Sequence, residues 1–284
     1  MLLLLVGLST LALTSRFDLL PRIAGGEKAD YTPWIAILSY GDVLTKFQCG
    51  GSVLTERHIL TAAHCVSAAY INGKLSSSYM ATVGTNVING SGQNYSIIAN
   101  YTHPNYRMEY VKNDLGIVVT NASIIFSPLV ERVTLNFNHI ADGVNVVIYG
   151  WGSAGLSEPL NPELEELEIV TVNSTYCLEE TKRIAMKYFG FIPPFIDPDK
   201  ELCAYKEVGS GTCKGDSGSP LVCAATNEQV GITSWGIPCA LGAPDMFTRL
   251  SNYKEWILKV VDDMGYLDKL KYTMHECTNN KTVY

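Results

Sequence analysis

The chain has 284 residues, of which 47% are apolar and 17% charged, with a formal net charge of −7. This composition excludes a disordered chain, which is poor in apolar residues and rich in charge. The acidic balance, with a pI of about 5.3, argues against a nucleic-acid partner, because phosphate neutralisation needs clustered Lys and Arg.

The chain opens on an apolar block, Leu2 to Leu13. It suits the core of a secretory signal peptide and falls short of the ~18 apolar residues of a membrane span. We expect a signal peptide over residues 1–15, cleaved near Thr14 or Ser15, and no membrane partner. Secretion implies an oxidising compartment, and the cysteines agree. They are Cys49, Cys65, Cys177, Cys203, Cys213, Cys223, Cys239 and Cys277. None forms a C-x-x-C pair, which leaves zinc-ribbon and thioredoxin readings without support, and spacing alone does not choose the pairing. N-x-S/T sequons at Asn89, Asn94, Asn100, Asn121, Asn173 and Asn280 point to a secreted glycoprotein.

From Trp34 to Tyr149 the sequence is a series of short apolar runs punctuated by Gly, Asn, Ser and Pro. Trp34–Leu38, Gly51–Leu54, His58–Leu60, Leu115–Val119 and Val144–Tyr149 read as strands. Similar runs follow at Glu168–Val172, Pro220–Cys223, Gln229–Trp235 and Met246–Thr248. Short strands with turns between them predict an all-β barrel or sandwich. One helical pattern stands out, capped by Ser251 or Asn252 and running to about Met264. No repeat or linker divides the chain.

Three segments carry chemistry. Thr61-Ala-Ala-His64-Cys65 holds a histidine, Asn113-Asp114-Leu115 places an acid before an apolar run, and Gly215-Asp216-Ser217-Gly218-Ser219-Pro220 sets a serine among glycines. A serine needs a base to act as a nucleophile near neutral pH, and the base needs an orienting acid. Glycines let backbone N–H groups approach an oxyanion.

With these segments the sequence resembles the trypsin/chymotrypsin family of serine proteases, whose members share the order His, Asp, Ser. The resemblance spans about Ile23 to Val261. It rests on Arg22-Ile23-Ala24-Gly25-Gly26, Cys49-Gly50-Gly51-Ser52, Ala62-Ala63-His64-Cys65, Asn113-Asp114, Gly150-Trp151-Gly152, Gly215–Pro220 and Ser234-Trp235-Gly236. It implies two six-stranded antiparallel β-barrels, an active-site cleft between them and a C-terminal helix. It assigns Ser217 as nucleophile, His64 as general base, Asp114 as its orienting acid, and the N–H groups of Gly215 and Ser217 as the oxyanion hole.

The resemblance also implies a zymogen. Residues 16–22 form a short propeptide, residues 23–264 the protease domain and residues 265–284 a tail. Cleavage after Arg22 by a trypsin-like protease frees the Ile23 ammonium, which is expected to pair with Asp216. Protein or peptide substrates and protein protease inhibitors are the expected partners. Cys49–Cys65, Cys177–Cys203 and Cys213–Cys239 follow from the family pattern. Cys223 lacks its family partner, because Val146 stands there, and a bridge to Cys277 competes with free thiols or an intermolecular bond.

For the specificity pocket the resemblance points to Gly211, Ser234, Gly236 and Asp245. Gly211 stands where trypsin-like specificity requires Asp. The Gly211 and Asp245 combination resembles that of the crab collagenolytic serine proteases. It implies a broad or chymotrypsin-like preference with some acceptance of basic residues. Asp245 either lines the pocket wall or turns away to Lys214 or a backbone N–H group. Alternatives are cleavage after Arg or Lys driven by Asp245, and a protease-like binding protein or toxin of low turnover. An esterase is less favoured, since its Gly-x-Ser-x-Gly spacing is absent around Ser217. The segment between Cys177 and Cys203 is expected to be a long loop that extends the cleft or packs on the barrel. Residues 71–108 hold no Asp or Glu, so neither calcium nor any other cofactor is expected.

Overall fold

A computed structural model describes residues 23–41, 46–88 and 92–279. The expected signal peptide, propeptide and Arg22, and the sequons at Asn89 and Asn280, lie outside the described residues. The first half forms β1 (Glu27–Lys28), β2 (Ile35–Tyr40), β3 (Lys46–Val53), β4 (His58–Thr61) and α1 (Ala63–Ala68). After them come β5 (Tyr70–Ile71), β6 (Lys74–Leu75), β7 (Met80–Val83), β8 (Gln93–Thr102) and β9 (Gly116–Thr120). Six of these strands close a barrel in the order β2-β3-β4-β9-β8-β7. β5 and β6 form a side hairpin whose turn, Asn72-Gly73, has φ of 52° and 73°. Both values are positive, as a two-residue hairpin turn matching strand twist requires.

The second half comprises β10 (Thr134–Asn136), β11 (Asn145–Gly150), β12 (Glu165–Val172), α2 (Ser174–Phe189), β13 (Glu201–Tyr205) and β14 (Pro220–Cys223). It continues with β15 (Gln229–Trp235), β16 (Asp245–Arg249), α3 (Lys254–Asp262) and β17 (Lys271–Thr273). The pairings β14-β11-β12-β13-β16-β15, closed by β14–β15, make a second six-stranded ring. Both barrels thus follow the same order of first, second, third, sixth, fifth and fourth strand. The all-β expectation of two barrels and a C-terminal helix matches this architecture.

Each barrel is filled by its own apolar side chains. Leu38, Leu60, Ile117 and Val118 belong to the first core; Ile148, Leu167, Leu221 and Phe247 fill the second. β12 alternates buried and less buried residues along its length, as a strand with one face on a core must. α3 buries Ile257, Val260 and Val261, and a 3-10 turn over Leu250–Tyr253 precedes it where the sequence suggested a capped helical start.

The segment after Cys177 departs from the expected loop. Its first part lies in α2, where Asn173 Oδ1 accepts from the Tyr176 N–H at 2.9 Å and Gly190 ends the helix at φ 69°. Cys177, Thr181, Ile184 and Ala185 are the buried face, at a helical spacing that the loop reading overlooked. Beyond α2, Phe191 and Phe195 are exposed instead of packed onto the barrel.

The chain holds Cys49–Cys65, Cys177–Cys203, Cys213–Cys239 and Cys223–Cys277 disulfides. Val146 sits directly opposite Cys223 in the β11–β14 ladder, which explains why Cys223 finds its partner in the tail. The tail also pairs β17 with β10 in parallel, which fastens it to the second barrel. Among the described residues no helix is long and apolar enough to cross a membrane.

Candidate active site

β4 runs into α1, and His64 is the second residue of that helix. The Cys49–Cys65 disulfide ties this corner to β3. Asp114 stands at the entrance to β9 and is buried. Its Oδ2 lies 2.8 Å from His64 Nδ1, and its Oδ1 accepts from the His64 N–H at 2.9 Å. The hydroxyl of Ser234 donates to Oδ2 at 2.6 Å, and that of Thr248 to the Asp114 carbonyl at 2.7 Å. Asp114 therefore belongs to the first barrel but is held by donors from β15 and β16 of the second. A proton on Nδ1 facing the carboxylate leaves Nε2 as the ring's acceptor. Burial pulls the His64 pKa down, but the charge and hydrogen bond of Asp114 outweigh it and hold the pKa above its usual value. The nearby sulfurs of Cys49 and Cys65 are bonded to each other, so this cluster offers a metal no thiolate.

Ser217 lies in a turn that meets the first barrel. The Gly50 N–H donates to the Ser217 carbonyl at 2.9 Å. Gly218 has φ 77°, and a Cβ there would fall 2.6 Å from the Gly50 carbonyl oxygen and against Thr61. Only glycine combines that conformation with that approach. The N–H groups of Asp216, Gly218 and Ser219 are bonded to Cys213, Thr233 and Asp216 carbonyls. Among the described residues, those of Gly215 and Ser217 have no protein acceptor. That pattern leaves the two donors that flank Asp216 for an oxyanion. Among the described residues no hydrogen bond joins His64 Nε2 to the Ser217 hydroxyl, a contact that commonly tightens only with substrate bound.

Asp216 points away from this turn into the second barrel. Its carboxylate accepts from the N–H groups of Gly152 at 2.8 Å and Cys213 at 2.9 Å. Side chains at Gly150 or Gly152 would occupy the space of this carboxylate, which explains the glycines of Gly150-Trp151-Gly152. Burial pushes the Asp216 pKa up to about 7, and the charges of Asp245 and Glu165 add to the shift. Ile23 is fully buried in the same core. In the uncleaved chain its backbone N–H donates to the Glu165 carboxylate, whereas the expected pairing with Asp216 concerns the ammonium that cleavage would free. Glu165 faces Gly150 across the β11–β12 ladder, a register that sequence reasoning did not supply.

Beside Ser217 opens a cavity of about 170 Å³, walled by Thr212, Lys214, Ser234, Trp235 and Gly236. Gly211 and Asp245 lie one layer behind it. Both Asp245 oxygens are taken by Thr212, through its N–H at 2.8 Å and its hydroxyl at 2.6 Å. A Cβ on Gly211 would come within 2.7 Å of one oxygen, and a Cβ on Gly236 within 2.9 Å of the other. Asp245 thus fills the gap between the two glycines, while Lys214 reaches the Leu156 carbonyl at 3.3 Å. Burial pushes the Asp245 pKa up to about 7. Thr212, like Thr233 and Pro238, is a pocket residue that the sequence reading missed; it adjoins Gly211, but its contact with Asp245 is long-range.

Two antiparallel barrels with a histidine, a buried acid and a serine turn at their junction define a serine protease architecture. The Trypsin family profile matches residues 23–257. The chain is 33% identical to Chymotrypsin-2 of Vespa crabro over 75% of this chain and 89% of the relative. It is 30% identical to Trypsin, alkaline B of Manduca sexta, covering 83% of this chain and 90% of the relative. It is also 29% identical to the Clotting factor G beta subunit of Tachypleus tridentatus, over 84% and 79% of the two chains. The chain belongs to the trypsin family and is a serine-type endopeptidase that acts on protein substrates.

Proposed function

We propose that this endopeptidase is secreted as a zymogen, is activated by cleavage after Arg22, and cuts peptide bonds through an acyl-enzyme on Ser217. The observation that carries the reading is the 2.8 Å contact of His64 Nδ1 with Asp114, together with the N–H groups of Gly215 and Ser217, which have no acceptor among the described residues. In the acylation step His64 Nε2 takes the Ser217 proton as the hydroxyl oxygen attacks the carbonyl carbon. The oxyanion that forms is held by the N–H groups of Gly215 and Ser217. His64 then gives its proton to the leaving amine, and water repeats the sequence to release the acid. Asp114 holds the imidazole tautomer and stabilises the imidazolium.

Specificity follows from a cavity with mostly neutral walls and a carboxylate set behind it. Large apolar and aromatic residues fit the pocket, and basic residues gain from Asp245 when it is ionised. Activation draws on the buried position of Ile23, whose ammonium would enter a region holding the carboxylates of Glu165 and Asp216. An ammonium offsets the cost of burying those charges.

The test is to cleave the purified zymogen after Arg22 and map the cuts in a diverse peptide mixture, with Ser217→Ala as control. Cuts after Phe, Tyr, Leu and some Arg or Lys, absent in the control, are expected. Cuts after Arg and Lys alone would make Asp245 the dominant determinant. No cuts despite a confirmed Ile23 terminus, with Ser217 unlabelled by an active-site phosphonate, would refute the catalytic reading.

A further inference from the structure

Lys112 lies two residues before Asp114 on the loop from the first barrel, yet its ammonium is buried against the second. Nζ is 2.7 Å from Glu201 Oε2 and 2.9 Å from Oε1, and the two side chains are 7% and 5% exposed. Glu201 opens β13. Its Oε1 also accepts from Trp235 Nε1 at 2.7 Å, and its Oε2 from the Asp197 N–H at 2.9 Å. These bonds leave the carboxylate well satisfied. The ammonium stands over two aromatic rings, 4.9 Å from the Phe195 centroid and 5.1 Å from that of Trp235.

The backbone on both sides of Lys112 is left-handed, a costly conformation for the β-branched Val111. Val111 and Asn113 have φ of 49° and 54°. Such residues persist where the surroundings over-determine them, often at functional sites. A circuit of contacts supplies the constraint. Lys112 binds Glu201, Glu201 binds Trp235, and Ser234, next to Trp235, donates to Asp114. A buried ion pair seldom stabilises a fold more than apolar residues of the same shape, so its use lies in setting positions. The position set here is that of the Trp235 indole, which borders the substrate cavity beside Ser217. Phe195, 58% exposed, shares the Lys112 ammonium with Trp235.

We infer that Lys112 and Glu201 are positioning residues for extended polypeptide substrates: they clamp Trp235 as the platform for the residues that precede the one seated in the pocket. The inference rests on the acyl-enzyme mechanism proposed above. It predicts a dependence on substrate length. A single-residue ester meets Trp235 only as one wall of the pocket, whereas a tetrapeptide anilide with the same pocket residue also lies against the indole outside it.

The experiment compares these two substrates on the activated enzyme and on Lys112→Met, Glu201→Gln, the double variant and Lys112→Arg. The double variant leaves neither buried charge orphaned, which guards against simple failure to fold. For the first three variants we expect KM for the tetrapeptide to rise about tenfold or more while its kcat and the ester kinetics stay within about threefold. Lys112→Arg, which keeps the charge, should recover most of the difference. Equal losses on both substrates would place the effect on the triad and overturn the inference, as would unchanged kinetics on both. A wild-type enzyme that turns over neither substrate and is not labelled by a phosphonate would instead fail the acyl-enzyme mechanism, and the inference with it.

Discussion

Ser234 donates its hydroxyl proton to Asp114 Oδ2 at 2.6 Å, so a residue of the second barrel completes the hydrogen-bond shell of an acid carried by the first. With the His64 N–H and Nδ1, the carboxylate accepts three hydrogen bonds. We expect Asp114→Asn to lower kcat by ~10⁴-fold, because the wrong tautomer is then presented to Ser217. Ser234→Ala removes one hydrogen bond of several and should cost about tenfold or less. Steady-state kinetics on a small ester checks both, and a Ser234→Ala effect as large as that of Asp114→Asn would contradict this division.

The base form of His64 is the neutral imidazole. Asp114 holds the His64 pKa above its ordinary value, so kcat/KM should rise with pH along an acid limb displaced above ~6.5. Removing the Asp114 charge should move the limb to lower pH. The stability contributed by the His64–Asp114 pair runs the other way. It is fully present below the unfolded pKa and is lost as pH rises through the raised folded value. pH–rate profiles of wild type and Asp114→Asn decide the first point, and thermal melts across the same range decide the second.

Asp245 should make specificity depend on pH. Its pKa of about 7 means that the pocket is backed by a neutral acid on one side of neutrality and by a carboxylate on the other. Between pH 6 and pH 8 the ionised fraction grows about tenfold, and the ratio of cleavage after Arg to cleavage after Phe should grow with it. The ratio cancels the titration of His64, which serves both substrates. Asp245→Asn should flatten it, and a flat ratio in the wild type would show that the carboxylate does not reach the substrate.

Removing the Cys223–Cys277 bridge, with both residues changed to Ser, should lower stability by ~2–4 kcal/mol and leave kcat close to wild type. The bridge closes a separation of 54 residues and holds the strand pairing of β17 with β10 in place. Denaturant melts beside ester kinetics measure the two effects separately.

Gly218→Ala should disable the nucleophile turn. Its φ of 77° is strained for any side chain, and the Cβ would meet the Gly50 carbonyl oxygen at 2.6 Å, which is backbone and does not yield cheaply. We expect at least a tenfold loss of phosphonate labelling at Ser217, about the effect of ~1.4 kcal/mol of misplacement. Wild-type labelling in this variant would show that the turn has slack.

Residue order alone is enough to read the class of fold and to nominate the candidate chemistry. Short apolar runs with turn residues between them specify strands, and local propensity is enough for that. His64, Asp114 and Ser217 are legible as the candidate base, acid and nucleophile because those residue types suit those roles, and the glycines beside Ser217 mark close backbone approach. What stayed hidden depends on contacts between residues far apart in the chain. Glu165 faces Ile23 only because β12 lies beside β11 in one register, and a shift of one residue would turn the side chain away. Asp245 reaches Thr212 only because β16 backs the pocket, and Lys112 finds Glu201 only where the two barrels meet. Burial, and with it the raised pKa values of Asp216 and Asp245, is a property of the packed interior. Charge in that interior is governed by neighbours that only the tertiary structure brings together.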